Sequence, residues 1–323
     1  VKKIAKAREI NKAHTTFIDT ILRYEHKGRI HADINQIRSD QGGTVTGRFS
    51  YSNPNLQQIP ARNKDLGPMI RSLFIPEENC TWGCFDYSQQ EPRLVVHFAS
   101  TTAGIKEDPS VKEIVDNYAS NDIDFHKTVA DMAGIDRIQA KTINLGLFYG
   151  MGKAKLQAEL GLSTKQEAEA LFNQYHDRVP FVRNLMQETS RWASREGEIR
   201  TLLGRGCRFN KWEPAQFGMH TPMTWEDAVK KYGENRIRRA FTYKALNKLI
   251  QGSAADMTKK SMLDLYKEGI IAHIQIHDEL DLSVESPEQA KKVVEIMENA
   301  VKLDVPNKVD YESGKNWGDI YDK

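Results

Sequence analysis

Residues 270–284, IIAHIQIHDELDLSV, alternate apolar and polar side chains almost without interruption. Ile274, Ile276, Leu280, Leu282 and Val284 share one parity; His273, Gln275, His277, Glu279, Asp281 and Ser283 share the other. A period of two marks half-buried strands, and two such runs this close in sequence pair as a hairpin. The expected turn holds His277-Asp278-Glu279, three polar groups at a tip. Ser286-Pro287-Glu288-Gln289 follows with a cap, a first-turn proline and a capping-box residue, so a helix is expected to start there.

A second stretch, RIQAKTINLGLFYG at 137–150, has the other period. Arg137, Lys141, Leu145 and Tyr149 recur every four residues and would lie along one helix face. At ~1.5 Å per residue that face runs about 18 Å, the order of length of a nucleoside triphosphate. Two cations begin it, and an apolar and an aromatic side chain end it. The same periodicity suits an amphipathic helix with solvated cations and a core-facing end, and spacing alone does not choose.

With 39% hydrophobic and 28% charged residues the chain is globular, and 323 residues suffice for two or more lobes. No apolar run nears ~18 residues, so no membrane is expected, and no secretory signal opens the sequence. Cys80, Cys84 and Cys207 match no metal or disulfide spacing and read as reduced thiols. The expected location is cytoplasmic, or the host-cell cytoplasm for a viral protein. A first residue of Val rather than Met suggests part of a longer product. Net charge is only +2, so any nucleic-acid surface must come from where charges sit.

In chain order, residues 7–27 carry a helical apolar stripe with Gly28 as a plausible stop. Arg29 to Asn35 can form a short strand, before a turn-rich segment bearing Arg38, Arg48 and Arg62. Such a surface can hold a sugar-phosphate backbone, or be a polar loop. TWGCFD at 81–86 reads as a buried strand ended by Asp86, and SQQEPRLVVHFAS at 88–100 as a helix with Pro92 tolerable in its first turn. Residues 104–200 look mostly helical. Asp124 can cap a helix that Gly134 ends, Ser163 to Gln166 reads as a capping box, and Pro180 separates two helices. Lys211 to Tyr232 is a polar, aromatic insert with no assignment. Residues 244–268 read as a helix closed by Gly269, and the tail as a short strand and an aromatic turn.

Three separated motifs then fit one pattern. DYSQQEPR at 86–93 resembles motif A of the family A (DNA polymerase I-like) DNA polymerases. Arg137-x3-Lys141-x7-Tyr149-Gly150 resembles their motif B, and His277-Asp278-Glu279 their motif C. TGRFSYSNPNLQQIP, QGSAAD and GKNW are similar to further family signatures, in the family's order. The resemblance implies an α+β right-hand polymerase fold, an antiparallel-sheet palm with helical fingers and most of the thumb absent. It implies the end of a thumb or connecting helix at 1–28 and a first palm part at 29–104. Fingers would follow at 105–236, with the motif B helix at 137–150, and a second palm part at 237–323.

The implied activity is template-directed DNA synthesis on primer–template DNA. Deoxynucleotides pass from dNTPs to a primer 3′-hydroxyl, pyrophosphate leaves, and two Mg²⁺ ions assist, with Mn²⁺ as a substitute. By resemblance Asp86 and Asp278 hold the metals, with Glu279 nearby. Lys141, Arg137 and His126 hold the triphosphate, and Leu145 and Tyr149 meet the sugar and base. Glu91 excludes a ribose 2′-hydroxyl, and Gln89 belongs to the same motif. Arg48, Asn247, Gln251 and His277 match positions that hold the primer–template. Upstream thumb or exonuclease domains and accessory factors are not visible in these residues. The other readings are a single-subunit RNA polymerase-like enzyme and a non-catalytic nucleic-acid-binding fragment. Leu145 departs from the family's usual Phe or Tyr, so discrimination against dideoxynucleotides is expected, and a terminator assay checks it. The short His126–Arg137 stretch and the 211–232 insert lean toward a bacteriophage or divergent replicative branch.

Overall fold

A computed structural model of the chain describes residues 2–37, 43–60, 63–120, 123–148, 153–216 and 218–321. Two compact units result. The first holds residues 1–88, 257–302 and 307–323; the second holds 89–256 and 303–306. The chain passes between the units at Ser88/Gln89 and Asp256/Met257, and again on either side of Leu303–Pro306. No described helix is long and apolar enough to cross a membrane.

The first unit is built on a four-stranded antiparallel sheet. Its strands are β1 (Thr81–Tyr87), β2 (Ile274–Ile276), β3 (Glu279–Val284) and β4 (Val309–Gly314), in the spatial order β2-β3-β1-β4. The expected strand at 81–86 is therefore present, and it is one of the two inner strands. Thr, Trp, Phe and Tyr suit a pleated surface covered on both sides. Gly83 is required by closeness. A Cβ there would lie 2.5 Å from Val284 Cγ2 and 3.2 Å from the Tyr311 ring. Its absence lets the neighbouring strands' side chains close over β1, where Phe85 and Tyr311 stack 4.7 Å apart.

Register assigns the faces, because directly paired residues point the same way. Phe85 pairs with Leu280 and Tyr311, and Tyr87 with Val309, giving an apolar face. The helix Pro287–Asn299 packs on that side, and the Tyr87 hydroxyl bonds with Ser261 Oγ and donates to the Met297 carbonyl. Trp82, Cys84 and Asp86 lie on the opposite face, paired with Ser283, Asp281 and Glu279 on β3. Glu312 and Asp310 on β4 pair with Cys84 and Asp86 from the other side. Around Trp82 this face is covered by Tyr51, Ile70 and Trp317. Toward Asp86 it is acidic.

The hairpin corrects one expectation. Ile276 pairs with Glu279, so the turn is His277-Asp278 alone and Glu279 is already in the strand. His277 takes a left-handed conformation, φ 56°, to close it. A two-residue turn reverses parity, so Ile274 and Ile276 share a face with Asp281 and Glu279, not with Leu280 and Leu282. Before the sheet, the stripe at 7–27 forms Lys2–Ala13, a π turn at His14–Ile18 and Asp19–Tyr24. The helix stops at Tyr24. Gly28 instead turns a small hairpin pairing Glu25–His26 with Arg29–Ile30, and Asp33–Asn35 is a separate strand.

The second unit is mainly helical, with Gln90–Thr101, Pro109–Ser120, Phe125–Ala133, Arg137–Phe148, Lys153–Leu160, Lys165–Arg178 and Pro180–Glu196. Asp124 caps Phe125–Ala133 by accepting from Lys127 N–H, and Gly134 ends it at φ 65°, both as expected. The capping box lies one residue later than expected, on Thr164 and Glu167, because glutamate reaches back to the Thr164 N–H. Pro180 starts a new helix. The unassigned insert becomes a strand, Trp212–Pro214, paired with Ile237–Arg239, and a helix, Trp225–Tyr232. The helix Ala245–Lys267 begins in this unit and ends in the first, with Gly269 beyond it at φ 77°.

Candidate active site

The acidic end of the sheet brings together three residues distant in sequence. Asp86 stands near the end of β1, Glu279 lies directly across from it, and Asp278 occupies the adjoining turn. The Tyr87 N–H donates to the Asp278 carbonyl at 3.2 Å and ties the turn to β1. The site thus lies at the end of the two inner strands of the sheet. Burial, then Asp278, Glu279, Asp310 and Glu312, pushes the Asp86 carboxyl up to about 8. Burial raises Asp278 too, and Arg48 opposes that rise. Arg48 also acts on His277, whose pKa is lowered chiefly by burial and then by this cation. Asp86, Asp278, Glu279, His277 and Arg48 therefore form one neighbourhood. Carboxylates crowded into a half-buried patch disfavour each other's ionised form until positive charge arrives. Hard oxygen donors of this kind fit Mg²⁺.

A second neighbourhood forms in the helical unit around Asp124. Arg137 donates from Nε and Nη2 to the Asp124 carboxylate, both at 2.6 Å. Arg137 and Lys141 both act on His126. Gln89, in a left-handed conformation at φ 54°, accepts from Phe125 N–H at 2.7 Å and donates to the Ile123 carbonyl at 2.8 Å. Both ends of its amide are thereby engaged with the start of the His126 helix. Glu91 lies half-buried in the first turn of Gln90–Thr101. Asn247 and Gln251 stand one turn apart on Ala245–Lys267, and Asn247 Nδ2 is buried without a hydrogen-bond partner. The Leu145 side chain, Tyr149, Arg38 and Arg62 lie outside the described residues.

Asn144 is the residue that sequence reasoning missed. It is fully buried, lies 3.2 Å from His126 Nδ1 through its Nδ2, and accepts from the Tyr175 hydroxyl through Oδ1. An amide N–H₂ can only donate, so Nδ1 is the acceptor and the proton sits on Nε2. Burial, with Lys141 and Arg137 adding, lowers His126 to about 4. His126 is then a neutral donor at Nε2 near neutral pH. Asn144→Leu leaves the Tyr175 hydroxyl and His126 Nδ1 unpaired in the interior. About 2–4 kcal/mol of stability should be lost, measured by urea unfolding.

A second buried histidine in this unit, His176, has neither ring nitrogen hydrogen-bonded. Burial and then Arg183 lower it to about 4, against Asp177. A histidine whose folded pKa lies below its unfolded value gives stability that is present near neutral pH and lost as pH falls through ~6.5 toward 4. Between pH 7 and 4.5, His176→Leu should therefore lose less stability than wild type. The difference is on the order of 1 kcal/mol after solvent screening, read from urea midpoints at each pH.

The family model described as DNA polymerase family A matches residues 1–319. A DNA-directed DNA polymerase of Pseudomonas phage M6 is 34% identical over 359 residues, covering 98% of this chain and 51% of that protein. A thermostable DNA polymerase I of Thermus filiformis is 35% identical over 335 residues, covering 98% of this chain and 36% of that protein. The chain thus spans about half or less of the length of these relatives. Among solved structures, the POL domain of Pol1 from M. smegmatis, in complex with DNA primer-template and dNTP, superposes with a TM-score of 0.75. It shares 29% identity and covers 96% of this chain and 52% of that one. The fold is accordingly the α+β right-hand polymerase fold expected from the motifs. By sequence and by fold, the chain belongs to DNA polymerase family A.

Proposed function

We propose that this chain carries the polymerising part of a template-directed DNA polymerase, adding deoxynucleotides from dNTPs to a primer 3′-hydroxyl with release of pyrophosphate. The observation that carries the reading is the meeting of Asp86 and Asp278 at one end of the sheet, in a chain of this family. Asp86 and Asp278 would hold two Mg²⁺ ions, with Mn²⁺ as a substitute, which supply charge stabilisation for the attacking and leaving oxygens. Glu279 adds negative potential beside Asp86. Arg137 and Lys141 bind the triphosphate and offset the charge that pyrophosphate carries away. His126 donates from Nε2 to a phosphate oxygen, held in that tautomer by Asn144.

Glu91 excludes the ribose 2′-hydroxyl, and Gln89 acts by fixing the helix that bears His126. Leu145 and Tyr149 take the sugar and base, while Arg48, Asn247, Gln251 and His277 hold the primer–template. In domain terms, 29–104 and 237–323 are read as the palm, 105–236 as the fingers and 1–28 as the end of a thumb or connecting helix. The test is extension of a labelled primer on a DNA template in Mg²⁺, with dNTPs or with ribonucleotides. Stepwise lengthening with dNTPs alone supports the reading. Lengthening with ribonucleotides points to an RNA polymerase-like enzyme, and binding of primer–template without lengthening to a binding fragment.

A further inference from the structure

One step along the sheet from Asp86 lies a cluster of which the proposed polymerisation uses only Glu279, at its edge. Cys84, Glu279 and Asp281 each offer one ligand atom, and these three atoms lie within 4.8 Å of one another. The register places all three on one face, with Asp281 directly across from Cys84 and Glu279 across from Asp86. Asp281 is fully buried, and neither of its carboxylate oxygens has a hydrogen-bond partner. The Cys84 thiol and the Glu279 carboxyl approach Asp281 to within hydrogen-bonding reach, and Arg71 acts on its charge from farther off, but neither approach has the distance and angles of a formed hydrogen bond. Arg71 is itself directed to the backbone carbonyls of Ile59 and Pro60 and lies over the Trp317 ring.

Buried polar groups are almost always satisfied, and an orphaned carboxylate calls for an ion, a water or a proton. The remaining ligands decide among these. A thiol and a second carboxylate converge on the same point, and Glu279 is only half-buried, so the cluster opens toward the Asp86 end. We propose that Cys84, Glu279 and Asp281 form a binding site for a thiophilic divalent cation of the Zn²⁺ class, separate from the Asp86–Asp278 pair. One sulfur and two carboxylates suit Zn²⁺ or Co²⁺, which accept mixed ligands in four-coordinate geometry with water completing the set. Mg²⁺ requires octahedral oxygen coordination and is not matched by a thiolate. Binding displaces the Cys84 proton, so affinity rises with pH. Reading strand spacing in the chain could not reveal this, because the ligands come from two strands far apart in sequence.

The test is titration of Co²⁺ into the whole chain with Mg²⁺ in excess, following the thiolate-to-cobalt charge-transfer band in the near ultraviolet. The expected result is a band that saturates at one Co²⁺ per chain and is displaced by Zn²⁺. It should persist in Cys80→Ser, Cys207→Ser and Asp278→Asn. Cys84→Ser should abolish it, and Asp281→Asn should weaken Co²⁺ binding at least about tenfold, since even outer-shell partners are worth ~10–100-fold. Cys84→Ala, which suits an apolar strand position, serves if the serine variant misfolds. Added Zn²⁺ should also raise the Tm of wild type by more than that of Asp281→Asn at the same concentration. A wild type without the band would overturn the proposal and leave Asp281 a protonated or water-bridged buried acid. A band that survives Cys84→Ser and Cys84→Ala would overturn it as well.

Discussion

Asp86→Asn and Asp278→Asn each slow primer extension at least about a hundredfold, while the Tm in EDTA holds or rises. The activity loss follows from the chemistry proposed for the site. Removing a single electrostatic donor from a preorganised site costs ~10²–10³ in rate, and a metal-holding carboxylate contributes at least as much. The stability result follows from the surroundings. Asp86 shares its end of the sheet with Asp278, Glu279, Asp310 and Glu312, all of which disfavour its charge. Asparagine keeps the shape and removes one carboxyl from that crowd, so the metal-free fold loses nothing. Differential scanning fluorimetry in EDTA beside the extension assay separates the two effects. A variant that loses activity only by unfolding would show a lowered Tm.

Gly318→Val destabilises the first unit by roughly 3–5 kcal/mol, a fall in Tm on the order of 10 °C. A Cβ at this position would lie 2.4 Å from the Pro68 carbonyl oxygen and 2.9 Å from the Ser72 nitrogen. Both are backbone atoms of, or just after, the helix Leu66–Arg71, so no side-chain rotation relieves the overlap. The neighbouring Trp317 is fully buried and fixes how closely the 3-10 turn Trp317–Tyr321 must approach. It stacks on Trp82 at 6.0 Å, meets Phe74 edge-on at 5.3 Å, and carries the Arg71 guanidinium 4.2 Å above its ring. Backing the turn away would open this cluster. Gly104→Ala is the control. Its Cβ meets nothing within 4 Å, so only its left-handed φ of 79° is strained, worth about 1 kcal/mol. Thermal unfolding of the two variants side by side checks the contrast.

Local signals were readable where the chemistry is local. Asp124 before the His126 helix, Gly134 after it, and Ser286-Pro287 all act through backbone groups within four residues, and the chain carries them out as written. Errors arose where a second possibility of equal local cost existed. Gly28 can end a helix or turn a hairpin, and pairing of Glu25–His26 with Arg29–Ile30 takes it for the hairpin. The 270–284 alternation read as one face because a two-residue turn reverses parity invisibly. Asn144 escaped notice because the every-fourth-residue face of its helix drew attention to Lys141 and Leu145. Its partners His126 and Tyr175 come from other helices. The Cys84–Glu279–Asp281 cluster is likewise a product of strand register. Motif resemblance reached the family and the fold; side-chain pairing needed the structure.

The most direct measurement compares the rate of single-nucleotide incorporation in Mg²⁺ for wild type, Asp86→Asn, Asp278→Asn and Asp310→Asn on one primed template. Asp310 pairs with Asp86 on the same face and adds to the same negative potential, but belongs to none of the family's motifs. Wild type should incorporate the nucleotide, Asp310→Asn should stay within a few-fold of it, and the other two should lose about a hundredfold or more. Equal loss in all three variants would make the acidic face a diffuse field rather than a metal-holding pair. No incorporation by a wild type that still binds the primer–template would contradict the claim that this chain synthesises DNA.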